Sequence, residues 1–285
     1  MLQEPELETG LAAGGLLRRS QNDGSWSFHD ARTNRLRCHG LQGWRTHLAG
    51  HLLDGNPSTR EQGPFQEIFL HRPIAGPRLL QDSVMLLDGL VNREECATLI
   101  SAADCWCRNH DDSSASALRR IQCHPDGINL DGRAHALAHI ILTRVLWCVE
   151  HLEPALAKKI FPGASKFEHL ADMCVKLAWG EPYVNRYTEG GCFEPHVDGH
   201  ALTILVPLST PDTDFSGGGT AFWSSHIATD NESAKSVPPS LVLAPSCGTG
   251  ILWRGHITHA GLAVKEGIRH VFVASFDLKV RGPPA

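Results

Sequence analysis

The most constraining feature of this sequence is a series of short β-type segments between residues 183 and 280. Seven such runs follow one another, separated by turns rich in glycine and proline: YVNRY, CFEPHVD, ALTILVPL, TAFWSS, LVLAP, GILWRG and RHVFVASFDL. Many short strands with frequent turns are typical of jelly rolls and barrels. We therefore predict a β-rich core of that kind in this part of the chain.

Helix signals precede the β-type region. Asn92, followed three positions later by Glu95, forms a capping-box pattern, and the apolar residues after it recur at helical spacing. This predicts a helix from Arg93 to about Asp104. A second apolar stripe, from Leu137 to Val149, predicts a longer helix. The β-rich core should accordingly be supported by helices on its N-terminal side, which makes the protein α+β.

Three further strands are predicted before the β-type series. Phe65–Leu70 alternates loosely and predicts a first strand, and Ser83–Leu90 is typical of a buried strand. Met173–Ala178 and Tyr183–Tyr187 are predicted to form a pair of strands that turns at Gly180.

The length of the chain favours one substantial core with an N-terminal extension. The 285 residues are 42% hydrophobic, which is enough for a single core of jelly-roll size. Residues 1–62 are rich in Gly, Arg, His and Asn without sustained periodicity, so we predict an extension that is partly disordered or draped over the domain. Residues 63–182 would supply the supporting helices and first strands, and residues 183–280 the core.

Composition and charge disfavour several classes of partner. The net charge is −5 and no strongly basic run occurs, so we expect no nucleic-acid partner. The N-terminus is acidic without an apolar core segment, and the apolar runs are too short to span a bilayer, so we expect no membrane partner and a cytoplasmic location. Nine irregularly spaced cysteines favour reduced thiols over disulfides.

The tripeptide His196-Val197-Asp198 is the clearest chemical signal. Residues two apart on a strand point to the same face, so one imidazole and one carboxylate can reach a single cation. A third ligand must come from elsewhere, and we favour His259. Two histidines and a carboxylate on one side of a metal leave the opposite positions open, as in the facial triad of non-haem Fe(II) oxygenases.

Arg269 is the reason for preferring His259 over the other histidines of this region, which are His200, His226, His256 and His270. This arginine opens the apolar run VFVASF, and an arginine that faces an apolar interior is costly unless it meets an anion. Its planar guanidinium suits a carboxylate. The alternative is that Arg269 faces outward or pairs with Asp277 or Glu266.

Two other potential metal clusters are less favoured. Cys105, Cys107 and His110 lack the second ligand pair that structural zinc sites usually have. His135 and His139 are four residues apart on the second predicted helix, but no glutamate follows the first of them as in the H-E-x-x-H pattern. Surface or core histidines are the preferred interpretation there.

An ordered set of motif pieces resembles the prolyl 4-hydroxylase-type family of Fe(II)/2-oxoglutarate dioxygenases. The match covers about residues 83–280, and its most specific part is Tyr187…Gly190…His196-x-Asp198…Gly217-Gly218-Gly219-Thr220-x-Phe222…Gly250…Leu252…His259-Ala260-Gly261…Val264…Gly267-x-Arg269. The resemblance implies a double-stranded β-helix, the jelly roll of cupin-like proteins.

The same resemblance implies roles for individual residues. His196, Asp198 and His259 would be the catalytic metal ligands of Fe(II), and Arg269 would hold the distal carboxylate of 2-oxoglutarate. Tyr187 would hydrogen-bond to this cosubstrate, although a core aromatic is an equal alternative. The run of three glycines from position 217 would form a turn where close backbone approach excludes larger residues.

The implied reaction uses O2 to hydroxylate a C–H bond of a peptidyl-proline or of a small amino-acid-like substrate, with succinate and CO2 as coproducts. Ascorbate would keep the iron reduced. Because Asp198 is a carboxylate and not a small residue, the resemblance implies hydroxylation and not halogenation. Pro207 departs from the family, since many peptide-hydroxylating relatives have an aromatic residue there. The alternatives are a non-catalytic or sensing module, or a different cupin-type metalloenzyme in which His200 or His256 replaces His259.

Overall fold

A computed structural model of the chain describes residues 65–71, 82–110, 116–123, 132–152, 173–228 and 230–279. It also describes two short strands near the N-terminus and a few positions between 157 and 170. The predicted extension at 1–62 lies almost entirely outside the described residues. The three predicted segment boundaries therefore stay predictions.

The elements of the described residues follow one another in this order: β1 (Arg18–Arg19), β2 (Trp26–Ser27), β3 (Phe65–Phe69), β4 (Ser83–Leu87), α1 (Arg93–Asn109), β5 (Leu118–Gln122), α2 (Gly132–Leu152), β6 (Cys174–Leu177), β7 (Tyr183–Tyr187), β8 (Phe193–His196), β9 (Leu202–Pro207), β10 (Phe215–Gly217), β11 (Thr220–Trp223), α3 (Asn231–Ser236), β12 (Leu241–Leu243), β13 (Gly250–Trp253), β14 (Thr258–Gly261), β15 (Val264–Gly267) and β16 (Arg269–Lys279). None of the helices in these described parts is long and apolar enough to cross a membrane.

Two antiparallel sheets organise the β-type region. The larger has the order β3-β4-β13-β9-β16-β7-β5, with β6 also paired to β16, and the smaller has the order β12-β11-β14-β8. Most neighbours in these sheets are distant in sequence, so the chain crosses repeatedly between strands. The prediction of a β-rich core with supporting helices is confirmed, while the double-stranded β-helix topology stays a prediction.

The two faces of the larger sheet have different partners, because successive side chains of a strand alternate between faces. On β16, Phe272, Ala274 and Phe276 belong to the same buried cluster as Ile141 and Val145 of α2. Each large apolar side chain buried in this way contributes about 1.5–3 kcal/mol. The opposite face carries a second cluster, which includes Val271, Leu205 and Trp253 and contains the wall of the site described below.

Helix α1 begins at the predicted position and ends later than predicted. The amide of Glu95 donates to Asn92 Oδ1 at 2.9 Å, and the amide of Asn92 donates to Glu95 Oε2 at 3.0 Å, so the capping box is present. The helix continues to Asn109 instead of ending near Asp104. Trp106 packs against the core cluster that lies between the larger sheet and α2, and this contact accounts for the additional turn.

Strands β6 and β7 and the turn between them are present as predicted, but the two strands do not pair with each other. Both strands pair with β16, where Leu177 lies opposite Phe276 and Tyr183 opposite Val273. Because β16 has 11 residues, one of its edges accommodates the two short strands end to end. Gly180, at φ +79°, does form the predicted turn, but the turn moves the chain along β16.

Candidate metal centre

Strands β8 and β14 bring the three predicted ligands together. His196 ends β8 and lies opposite His259 of β14 in the antiparallel register, with the two ring centroids 4.2 Å apart. Asp198 follows two residues after His196. One nitrogen or oxygen atom from each of the three residues lies within 4.8 Å of the others. Sequence positions 61 residues apart thus converge on a volume the size of one cation.

Asp198 lies between the two imidazoles. Its Oδ1 is 3.5 Å from Nε2 of His196, and its Oδ2 is 3.5 Å from Nε2 of His259. Its amide donates to the carbonyl of Gly255 at 3.0 Å, and Thr203 Oγ1 donates to Oδ2 at 2.5 Å. Burial raises the pKa of this carboxyl, but the hydrogen bond with His196 and the nearby His259 outweigh burial and leave the pKa below its usual value.

Backbone carbonyls orient both imidazoles. Nδ1 of His196 is 2.8 Å from the carbonyl of Glu194, and Nδ1 of His259 is 3.1 Å from the carbonyl of Ile257. A carbonyl can only accept, so Nδ1 carries a proton in each ring, and Nε2 is the ring atom that faces Asp198 and is available to a cation. Burial lowers the pKa of His259 to about 4, which keeps this ring neutral, as a metal ligand must be.

Buried aromatic side chains pack against His259. The ring centroid of Trp253 is 4.7 Å from that of His259, and the centroid of Phe222 is 6.3 Å away. Both aromatic residues are fully buried. Trp223, in contrast, lies in a separate core cluster and donates from Nε1 to the carbonyl of Val237 at 3.0 Å. Of the two tryptophans, Trp253 is the one that shapes the candidate site.

Arg269 is buried with one side of its guanidinium unpaired. The residue is only 3% exposed, Nη2 donates to Thr220 Oγ1 at 3.1 Å, and Nη1 has no hydrogen-bond partner among the described residues. The alternative ion pair with Asp277 is not formed, since that carboxylate bonds His200 and the amide of Ala201. Although burial lowers its pKa, an arginine stays charged in proteins, so this cation requires an anion.

The triple-glycine turn makes room for that guanidinium. Residues 217, 218 and 219 have φ values of +72°, +64° and +104°, which favour glycine. A Cβ atom on Gly218 would lie 3.1 Å from Cδ of Arg269 and 3.0 Å from the ring of Phe215. The predicted turn is present, and Gly218 is the glycine that the arginine needs.

Tyr187 lies beside Arg269, opposite it in the register between β7 and β16. The guanidinium carbon is 5.1 Å from the Tyr187 ring centroid, and Asn185 Nδ2 donates to the phenol oxygen at 3.4 Å. Burial raises the pKa of Tyr187, so the phenol keeps its proton and can donate it. Both interpretations of this residue, core aromatic and hydrogen-bond donor, fit this position.

The remaining histidines of the region have other surroundings. His200 Nδ1 is 3.1 Å from Asp277 Oδ2, His226 lies against His71, and His270 Nε2 is 3.0 Å from Asp104 Oδ1. His256 is exposed. Within the described ranges, the His196–Asp198–His259 cluster is the only group of three or more potential metal ligands that converge.

Two residues at this site escaped sequence reasoning. Thr203, which bonds Asp198, is the one polar residue in the run LTILVP of β9. Asn185 is a polar residue in a buried strand, and its Oδ1 has no partner among the described residues. A buried polar residue in an apolar strand is a usable signal, because such a residue needs a hydrogen-bond partner.

Comparison with known proteins identifies structural similarity without assigning a family. No family model matches the sequence, and no curated protein matches it. Among solved structures, the chain is similar to the viral collagen prolyl hydroxylase vCPH from Paramecium Bursaria Chlorella virus-1, in a 2OG complex, at 15% identity and a TM-score of 0.43, covering 78% of this chain and 98% of that one.

Two further solved structures are similar at the same level. HygX from Streptomyces hygroscopicus, with nickel and 2-oxoglutarate bound, has 16% identity and a TM-score of 0.43, covering 68% of this chain and 82% of that one. An oxidoreductase of the 2OG-Fe(II) oxygenase family from Burkholderia pseudomallei has 16% identity and a TM-score of 0.39, covering 68% and 84%. At such low identity and TM-score, functional conclusions must rest on the geometry of the site itself.

Proposed function

We propose that this protein is an oxidoreductase, an Fe(II)- and 2-oxoglutarate-dependent dioxygenase. It would use O2 to hydroxylate a C–H bond of a peptidyl-proline or of a small amino-acid-like substrate, with succinate and CO2 as coproducts. The observation that supports this most is the pairing of a His-Asp-His cluster with a buried arginine whose Nη1 has no partner. The cluster suits a divalent cation, and the arginine suits a carboxylate.

Strand β11 relates the surroundings of Arg269 to those of His259. Arg269 bonds Thr220, while the ring of Phe222 packs near His259, and these two β11 residues are two positions apart on the same strand face. Two residues along a strand span about 7 Å. The end carbons of a five-carbon chain lie about 5 Å apart, given C–C bonds of about 1.5 Å. A molecule of this length, bound at Arg269, would extend along this strand face toward the cluster, as the proposal requires.

The residues of the site would bind the metal and the cosubstrate separately. His196, Asp198 and His259 would hold Fe(II) from one side and leave the remaining positions for the cosubstrate and O2. Arg269 would bind the distal carboxylate of 2-oxoglutarate, and the phenol of Tyr187 would donate to this cosubstrate. When bound, iron and 2-oxoglutarate would supply the oxidation of the substrate through decarboxylation to succinate.

The surrounding residues would orient the ligands and exclude water during turnover. Thr203 holds one carboxylate oxygen of Asp198, and Trp253 excludes water from the inner side of His259. Since Asp198 occupies a ligand position with a carboxylate, hydroxylation is preferred to halogenation. Ascorbate would serve as the external reductant that returns oxidised iron to Fe(II).

Anaerobic titration tests the metal and cosubstrate assignment. Fe(II) and 2-oxoglutarate added to metal-free protein should produce a visible metal-to-ligand charge-transfer band. His196→Ala and His259→Ala should abolish the band. His256→Ala should retain it, because His256 is an exposed histidine near the site but outside the cluster. Absence of the band in folded wild-type protein would contradict the proposal.

Succinate release separates an enzyme from a sensing module on the same fold. An enzyme should release succinate slowly in air even without substrate, and ascorbate should prolong this release. A module that only binds would show the charge-transfer band without succinate. That result would remove the catalytic part of the proposal and keep the binding part.

A further inference from the structure

A second arginine lies close to the candidate metal cluster, and unlike Arg269 it is exposed. Arg120 of β5 has its guanidinium carbon 4.0 Å from the Tyr183 ring centroid and 5.4 Å from that of Phe193. The Phe193 ring is in turn 4.5 Å from the ring of His196. One aromatic side chain thus separates the Arg120 cation from a predicted metal ligand.

The charge of Arg120 is only loosely compensated. Its Nη2 is 3.7 Å from Glu181 Oε1, and 38% of its side chain is exposed. The other carboxylate oxygen of Glu181 accepts a hydrogen bond from the amide of Ser275. By contrast, the buried guanidinium of Arg144 bonds both carboxylate oxygens of Glu95 at 2.8 Å. Arg120 therefore has donors available for a further anion.

The two aromatic rings restrict how this guanidinium can be presented. A guanidinium stacked on an aromatic face is attracted by the ring and keeps its plane and its donors in a defined orientation. Such an arrangement favours binding of a planar carboxylate over a general attraction for negative charge. The side chain is exposed, so an incoming substrate can reach it.

An unpaired polar atom lies directly opposite Arg120. Asn185 faces Arg120 in the register between β5 and β7, and it is only 5% exposed. Its Nδ2 donates to Tyr187, while its Oδ1 has no partner among the residues that the structure describes. An amide oxygen can only accept a hydrogen bond, so the partner of this atom must be a donor such as an ammonium group. A buried polar atom of this kind needs a partner, which a bound ligand can supply.

We propose that Arg120 binds a free carboxylate of the substrate and that Asn185 Oδ1 accepts a hydrogen bond from its amino group, which makes the substrate a small amino-acid-like acid. This proposal rests on the proposed function and selects between its two substrate classes. An internal proline of a peptide has no carboxylate to offer Arg120. The distal carboxylate of 2-oxoglutarate is left to Arg269, the deeply buried arginine, so the two guanidiniums bind different acids.

The experiment compares Arg120→Met with Arg119→Met as the matched control. The two arginines are adjacent on β5, so their side chains point to opposite faces, and Arg119 donates to the carbonyl of His110. Wild type and both variants are loaded with Fe(II) and 2-oxoglutarate and checked for the charge-transfer band. Succinate release is then measured with the common L-amino acids, with their carboxamides and with an end-blocked proline peptide.

At least one free amino acid should raise succinate release by the wild type above the substrate-free rate, and its carboxamide should not. Arg120→Met should lower kcat/KM for that acid by about 10- to 100-fold, mainly through KM, as expected for loss of a charged hydrogen bond. The charge-transfer band, the KM for 2-oxoglutarate and the substrate-free rate should stay unchanged. Arg119→Met should behave as wild type throughout.

Several results would overturn the assignment of Arg120. In the wild type, these are equal stimulation of succinate release by an acid and its carboxamide, stimulation by the blocked peptide alone, or no stimulation by any acid. In Arg120→Met, they are an unchanged kcat/KM for the acid or a raised KM for 2-oxoglutarate. Failure of the proposed function is distinguishable, because the wild type would then show neither the band nor substrate-free succinate.

Discussion

Thr203 donates a hydrogen bond of 2.5 Å to Asp198, and through this bond β9 of the larger sheet fixes a predicted metal ligand that follows β8 of the smaller one. The backbone amide of Asp198 is held separately, by the carbonyl of Gly255 in the turn between β13 and β14. A ligand that is fixed before the metal arrives loses less conformational freedom on binding.

Thr203→Val should weaken Fe(II) binding by about 10- to 100-fold, because the loss of a hydrogen bond to a ligating carboxylate typically has that cost. The side chain keeps its shape, so the fold should survive. Titration of metal-free protein with Fe(II) under anaerobic conditions measures the change. Thr203→Ser retains the hydroxyl and is the control, with affinity near that of wild type. Equal affinities for the valine and serine variants would show that the bond has no role in metal binding.

Arg269→Ala should raise the concentration of 2-oxoglutarate needed for the charge-transfer band by about 100-fold, since it removes a charge-assisted bond in a buried site. Fe(II) affinity should change little, because Arg269 contacts Thr220 and the Tyr187 ring but none of the three ligands. Titrations of the metal and of 2-oxoglutarate measured separately give the comparison. An equal loss in both would mean that the arginine supports the cluster structurally.

The proximity of His196 to Asp198 and the burial of Arg269 could be predicted from the sequence, because each follows from a pattern that is visible locally. His196 and Asp198 have strand spacing, and an arginine at the start of an apolar strand requires an anion. Thr203 and Arg120 could not be assigned in the same way. Arg120 comes near the metal cluster only through Phe193 and through the register of β5 with β7, which begins 65 residues further along the chain.

The pairing of β6 and β7 with β16 illustrates the same limit. The sequence predicts the turn at Gly180, because a glycine between two β-type runs is a local signal. The partner of each strand is not local: β7 and β6 both pair with β16, which lies about 90 residues further along the chain. A turn residue such as Gly180 therefore predicts where a strand ends, whereas the length of β16 determines which strand it pairs with.

Arg144→Met should destabilise the protein by about 3–5 kcal/mol, because it leaves the buried carboxylate of Glu95 without its partner. Arg144 also donates to the carbonyl of Leu90 at 2.9 Å, so α2 loses its polar link to the start of α1. Urea denaturation measures the free energy of unfolding. Lys235→Met provides the control, because its pair with Glu232 is exposed and its loss should leave the free energy of unfolding near that of wild type. Similar effects of the two substitutions would contradict the importance of burial.

The metal-free protein should lose stability as the pH falls below about 6.5, the usual pKa of histidine. Burial lowers the pKa of His270, and it lowers that of His259 to about 4. The unfolded chain therefore binds protons in this range that the folded protein does not, and stability must rise with pH. The stabilisation should be complete above about pH 7, and it should be lost progressively as the pH falls toward the pKa values that the two histidines have in the folded protein.

Urea midpoints measured from pH 7 to pH 5 test this dependence. His270→Gln should reduce the slope of stability against pH, since glutamine has no charge to gain, while it can still donate a hydrogen bond toward Asp104. The carboxyl of Asp104 should not contribute in this window. Burial raises its pKa, but Arg186 and His270 together outweigh burial and leave the pKa below its usual value, so its contribution is lost only at more acidic pH. An unchanged slope in His270→Gln would show that His270 is not held neutral in the folded protein.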